Sequence, residues 1–300
     1  REQIDIGPER AAVDDPDAPE YARLIGPNLW PAALPELREV TAQWQEHLAG
    51  VARKLLRAWA LALGAPETYF DEHFGEPSTL LKIVRYPGTD APEPAQGVGA
   101  HKDSGVLTLL WVEPGKGGLE VQRDGVWVDA PPVPGAFVVN IGEMLEYATG
   151  GYLVATNHRV ISPRHPDDRI SVPYFFNPTL DATLPLIELP AELAAQARNF
   201  RQPQCMHFVR RQRGGRVLAH LEGVVRGAVG MRAAHAGGIH GRLGQLALRE
   251  RDDALVGRLH RIQQRLARFG LQFGRARGAH LAVPGQRIGL GLRVVDAGLQ

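Results

Sequence analysis

Two histidines and an aspartate in the middle of this 300-residue chain are spaced for metal chemistry. His101 and Asp103 stand two apart, and His158 follows after a long interval. Residues two apart on an extended segment face the same way, so His101 and Asp103 can address one point. A second imidazole from a distant strand then completes a three-donor face. Two imidazoles and one carboxylate leave three octahedral positions open, which suits Fe(II) handling oxygen and a bidentate co-substrate. Eleven residues beyond His158 comes Arg169-x-Ser171. A planar guanidinium grips a carboxylate through two parallel hydrogen bonds, and a neighbouring hydroxyl adds a third donor. The pair is suited to the far carboxylate of a dicarboxylic keto acid, with Tyr86 as a further hydroxyl for the same pocket.

A bare His-x-Asp is common on surfaces, so its weight depends on the elements around it. After Ser78 the chain breaks into short β-rich runs at 80–86, 106–112, 119–122, 126–129, 136–141, 154–161, 170–176 and 184–189, separated by Pro-Gly signals. Short strands without long intervening helices predict an antiparallel double-sheet jelly roll, mainly β with flanking helices, rather than a βαβ fold. Before them, Leu37, Val40, Trp44, Leu48, Val51, Leu55, Trp59 and Leu63 recur at helical steps. They predict one amphipathic helix over 34–63 backing a sheet, with Gly50 as a place where it divides. Residues 1–34 read as a loop segment anchored by Tyr21, Leu24 and Trp30, and 190–199 as one short helix. Gly115-Lys116-Gly117-Gly118 lacks the spacing and following helix of a phosphate loop and reads as a hairpin turn.

The net charge of +1 conceals an asymmetry. Residues 1–200 hold 16 Lys and Arg against 28 acids, whereas 201–300 hold 18 Arg, no Lys and 5 acids. Such a split marks a separate tail. A helix over 255–273 is the one periodic segment in it. The single cysteine, Cys205, excludes an intrachain disulfide. No run approaches the roughly 20 apolar residues of a membrane span. The expectation is a cytoplasmic protein, monomeric, without a membrane partner. His47, His73, His165 and the histidines beyond 201 show no ligand spacing.

Seven short stretches together resemble the isopenicillin N synthase-like branch of the iron(II)/2-oxoglutarate-dependent oxygenases. They are Gly26-Pro27-Asn28-x-Trp30-Pro31, Leu81-x-x-x-Arg85-Tyr86-Pro87, Gly99-x-His101-x-Asp103, Gly118-Leu119-x-Val121, Val139-Asn140-Ile141-Gly142-x-Met144-Leu145-Glu146, Asn157-His158-Arg159-Val160 and Arg169-x-Ser171-x-Pro173-x-Phe175. The resemblance covers about residues 1–198. It implies that His101, Asp103 and His158 bind iron and that Arg169, Ser171 and Tyr86 bind 2-oxoglutarate. It further implies oxidation of a small organic substrate by molecular oxygen, with release of succinate and carbon dioxide. A 2-oxoglutarate-independent iron oxidase of the same fold is the alternative, against which Arg169-x-Ser171 speaks; a truncated non-catalytic remnant is another.

Lys102 stands where the family more often has Thr, and is expected to point away from the metal. The chain divides into a partial N-terminal helical and loop region (1–78), the jelly-roll domain (79–200) and the basic tail (201–300). The front of the family's fold and its closing helical segment are expected to be missing. Read one nucleotide later with CGN arginines, residues 209–214 permit Tyr-Gly-x-Asn-Ala, which relatives carry near this place. The tail is therefore expected to be a shifted reading of GC-rich DNA rather than a nucleic-acid-binding arm, for which interleaved aromatics are too few.

Overall fold

The computed structural model describes residues 1–91 and 95–197, together with the backbone of three short strands further on. The described residues fall into two compact units: Arg1–Pro8 with the chain from His47 onward, and Glu9–Glu46. In the second, Glu9 accepts hydrogen bonds from the Asn28 side chain at 2.7 Å and the Trp30 indole at 3.4 Å, and pairs with Arg38 at 3.3 Å. Trp30, with Tyr21 and Leu24, is half-buried.

Helix α1 (Glu36–Ala62) runs unbroken through Gly50. Its buried stripe is Leu37, Thr41, Trp44, Leu48, Ala52, Leu55, Leu56 and Ala60. Val40, Val51 and Trp59 lie at the stripe's margins. Thr41 is tolerated inside because its hydroxyl donates to the Leu37 carbonyl at 2.6 Å. The second half backs a sheet as expected, with the Arg53 guanidinium 5.5 Å over the Phe176 ring.

The first unit is a two-sheet jelly roll. Its larger sheet has the order β1 (Glu2–Ile6), β2 (Ser78–Tyr86), β9 (Arg169–Asn177), β4 (Leu107–Val112), β7 (Val138–Ile141). The smaller has the order β3 (Gln96–His101), β8 (His158–Ile161), β5 (Leu119–Arg123), β6 (Val126–Asp129). Every pairing in both is antiparallel. Val84, Tyr86, Leu110 and Val112 of the larger sheet pack with Leu119 and Val160 of the smaller, so the two close over one interior. Each such fully buried aliphatic chain contributes about 1.5–3 kcal/mol.

Four sequence expectations change here. Residues 2–6 are not loop but the edge strand β1, registered from Glu2 opposite Arg85 to Ile6 opposite Leu81. β3 was not foreseen, because Gly97, Gly99 and Ala100 give it little β-propensity. It forms by pairing with β8, through two register irregularities. The turn at 115–118 is not a hairpin: it carries the chain from β4 in one sheet to β5 in the other. The tight hairpin lies one strand later, where Asp124 and Gly125 both take positive φ, at 50° and 80°, between β5 and β6. Finally, a short helix, α2 (Glu143–Ala148), interrupts the β-rich region.

The last expected strand shrinks to β10 (Thr183–Pro185), paired with β11 (Cys205–His207), and the helix over 190–199 to α3 (Ala191–Ala194). β12 (Leu281–Val283) and β13 (Gln286–Ile288) pair with each other. The helix expected over 255–273 and the shifted-frame segment at 209–214 lie outside the described residues. Among those described, no helix is long and apolar enough to cross a membrane.

Candidate metal and co-substrate site

His101 ends β3, His158 begins β8, and the two residues are registered opposite each other. Asp103 follows in the turn after β3 rather than in a strand, so its approach to His101 comes from that turn and not from strand alternation. One donor atom from each residue lies within 4.8 Å of the others. The Asp103 Oδ1 is 3.7 Å from Nε2 of His101 and 3.7 Å from Nε2 of His158. Atoms at that separation can share one ion at the roughly 2.0–2.2 Å of first-row metal–nitrogen and metal–oxygen bonds.

The histidines are held for this. His101 Nδ1 donates to the Gly99 carbonyl at 2.8 Å, and His158 Nδ1 to the Thr156 carbonyl at 3.0 Å. With Nδ1 as donor, Nε2 of each ring is the nitrogen left to face Asp103. Burial, then the adjacent His158 imidazole, lowers the His101 pKa, which keeps the ring in the neutral form a metal ligand must have. The other carboxylate oxygen of Asp103 accepts the Thr108 hydroxyl at 2.7 Å. Thr108 lies on the interior face of β4 with Leu110 and Val112, and fixes which oxygen Asp103 presents.

The remaining pattern of Asn157-His158-Arg159-Val160 is strand alternation. His158 and Val160 face the interior. Asn157 donates to Gln122 at 2.9 Å, and Arg159 pairs with Glu120 at 2.5 Å while lying 4.2 Å over the Trp127 ring. These outer contacts lock β8 onto β5, where His158 is opposite Val121.

The second group of candidates sits on facing strands of the larger sheet. Tyr86 is registered opposite Arg169, and Val84 opposite Ser171. All of Tyr86, Arg169 and Ser171 are buried, and the Arg169 guanidinium lies 4.9 Å over the Tyr86 ring. Arg169 is 1% exposed, and none of its three guanidinium nitrogens makes a well-formed hydrogen bond; Tyr86 is its near neighbour. Burial pushes its pKa down, with Tyr86 and Glu113 pulling the other way. A buried, unpartnered guanidinium is costly, and an entering carboxylate would satisfy it. The backbone makes room for this arrangement at Gly97. A Cβ there would come 2.7 Å from the Tyr86 ring.

The Lys102 side chain is engaged by Glu146, at 2.9 Å. The α2 helix that carries Glu146 also docks on the Asp103 turn. Gly142, Glu143 and Met144 donate their amides to the carbonyls of Val106, Asp103 and Gly105 at 3.0, 2.8 and 3.0 Å. That approach requires glycine, since a Cβ on Gly142 would lie 2.0 Å from the Gly105 carbonyl oxygen. Gly142→Ala is expected to cost about 1–3 kcal/mol of stability, the usual range for overpacking. Urea unfolding at unchanged m-value would check it; an unchanged midpoint would mean that the α2 contact yields freely.

Thr108 and Gly97 stand in none of the sequence patterns, and Glu146 enters them only as the end of the stretch 139–146. The available signal was the run Gly142-x-Met144-Leu145-Glu146, which places an acid in the helix's buried turn.

Residues 77–178 match the 2OG-Fe(II) oxygenase superfamily. A 2-oxoglutarate-dependent dioxygenase from Dothideomycetidae sp. is 36% identical over 203 residues, covering 65% of this chain and 54% of that protein. A homoarginine-6-hydroxylase from Arabidopsis thaliana is 35% identical over 170 residues, covering 55% and 51%. The chain thus spans about half the length of the curated relatives it matches. A crystal structure of a 2OG-Fe(II) oxygenase family protein from Caulobacter crescentus superposes with a TM-score of 0.58 at 28% identity, over 75% of this chain and 69% of that one. JOX2 in complex with 2OG, Fe and JA superposes at 0.53 and 27% identity, over 69% and 57%. The jelly roll, the converging His-Asp-His donors and these similarities agree: residues 77–178 are a 2OG-Fe(II) oxygenase superfamily domain.

Proposed function

We propose that this chain is an Fe(II)- and 2-oxoglutarate-dependent oxygenase of the isopenicillin N synthase-like branch, acting on a small organic molecule. In this reading His101, Asp103 and His158 hold the iron, and Arg169, Ser171 and Tyr86 hold 2-oxoglutarate. The bound iron supplies the redox chemistry that couples decarboxylation of the co-substrate to succinate with oxidation of the substrate. The protein's own residues orient and exclude. Thr108 aims the Asp103 carboxylate, and Arg169 with Ser171 anchors the far carboxylate of the keto acid. The apolar walls Val84, Leu110, Val112, Leu119 and Val160 keep water from the interior.

The observation that carries this reading is the buried Arg169 guanidinium, whose nitrogens lack a well-formed hydrogen bond and whose neighbour Tyr86 packs in the interior cluster. Two residues beyond His158 on β8, Val160 packs in the same cluster as Tyr86, which connects the two groups. A 2-oxoglutarate-independent oxidase would have no use for a buried guanidinium that lacks a carboxylate hydrogen-bonded to it. The action on a small molecule, in the cytoplasm and as a monomer, belongs to the same proposal. So does the division into residues 1–78, 79–200 and a foreign-frame tail.

Anaerobic addition of Fe(II) and then 2-oxoglutarate tests it. A visible metal-to-ligand charge-transfer band is expected in the parent chain and none in His158→Ala. A folded parent chain without the band would overturn the proposal in favour of a non-catalytic remnant.

A further inference from the structure

An ion pair joins the two segments that carry the metal donors. Lys102 separates His101 from Asp103 in sequence, and its Nζ lies 2.9 Å from Oε2 of Glu146. Glu146 is 4% exposed. The same Oε2 accepts the amide of Ala155 at 3.1 Å, three residues before His158. One carboxylate oxygen therefore touches both the segment of His101 and Asp103 and the segment leading into His158. The helix bearing it grips the Asp103 turn independently through the three amides of Gly142, Glu143 and Met144. These segments are otherwise far apart in the chain, and the pairing of β3 with β8 between them is irregular.

We propose that Glu146 and Lys102 are positioning residues for the metal site, a clamp that sets the separation between the Asp103 turn and the His158 strand. The inference rests on the reading that His101, Asp103 and His158 hold Fe(II). Its physical basis is charge. A buried carboxylate needs a counter-charge, and Lys102 is the cation that meets it in the described structure. Without that attraction, Glu146 keeps the Ala155 amide but no longer draws the His-x-Asp segment toward it. The donors then spread, and the ion loses the geometry that partners behind the ligands normally supply.

Co(II) titration of the full chain, followed by its visible d–d spectrum, tests the clamp. Parent protein is compared with Lys102→Met, Lys102→Arg, Glu146→Gln and the Lys102→Met/Glu146→Gln double variant, with His158→Ala as reference. Lys102→Met and Glu146→Gln are each expected to weaken Co(II) by roughly 10–100-fold, the range for partners behind metal ligands, and to change the spectrum. Lys102→Arg should restore both, because the charge and reach are kept. The double variant should lose no more than either single one, since the two residues act as one unit. Affinity for 2-oxoglutarate at saturating metal should be unchanged.

If His158→Ala abolishes Co(II) binding while Lys102→Met leaves affinity and spectrum as in the parent, the clamp is overturned and the metal reading stands. If His158→Ala binds Co(II) as the parent does, the metal reading itself fails. Lys102 is about one-third exposed, so its Met variant keeps the test open even where Glu146→Gln does not fold.

Discussion

Asp103→Asn is expected to remove metal binding while leaving the metal-free fold at least as stable. The carboxylate is 7% exposed, with a hydroxyl and two imidazoles around it. Without a cation it is a buried anion with only partial compensation, and such groups are expensive. An amide of the same shape can still accept from Thr108, so the metal-free protein loses little. The metal loses the only anionic donor in the cluster. Its affinity should therefore fall by more than about 100-fold, beyond the range for partners behind the ligands. Melting curves with and without Mn(II) or Co(II) separate the two effects. The parent should gain stability with metal, by about 2.7 kcal/mol at a hundredfold excess over Kd, and the variant should gain none. A variant that still gains stability from metal would mean that the cation is held elsewhere.

Arg169→Gln is expected to cost 2-oxoglutarate binding far more than metal binding. Truncating one side of a buried charge pair costs about 2–5 kcal/mol, or roughly thirtyfold to several thousandfold in Kd. The metal donors lie on the smaller sheet and in the Asp103 turn, whereas Arg169 is on β9 of the larger sheet, so they should feel little. A second consequence follows from the unpartnered nitrogens. Arg169→Met, which removes a buried cation from an apolar interior, should raise the melting temperature of the ligand-free protein while abolishing stabilisation by 2-oxoglutarate. Isothermal titration with both ligands, beside thermal melts, reads all three quantities. Equal losses for metal and 2-oxoglutarate would refute the assignment of Arg169 to the co-substrate.

The donor residues could be read from the chain because their chemistry is local to each side chain. A His-x-Asp before a strand, a histidine in a β-run and an Arg-x-Ser opening another are visible as residue types at fixed spacings. Strands dense in branched apolar residues, such as Leu107–Val112, were equally plain. β3 was not, since three of its six residues are Gly or Ala and its pairing comes entirely from β8. The Pro-Gly turn after β4 shows the same limit. A turn signal says that the chain reverses, and not whether the next strand joins the same sheet.

Legible in the chain alone were the His-Asp-His cluster that the fold brings together and the jelly-roll class, because residue type and a period of two are properties of short stretches. Which groups meet across long separations is settled by the packed fold. It sets Thr108 on one oxygen of Asp103, Gly97 against the Tyr86 ring, and Lys102 on a carboxylate 44 residues away. Those contacts arise from close packing of two sheets and a helix around one interior, which no local pattern encodes.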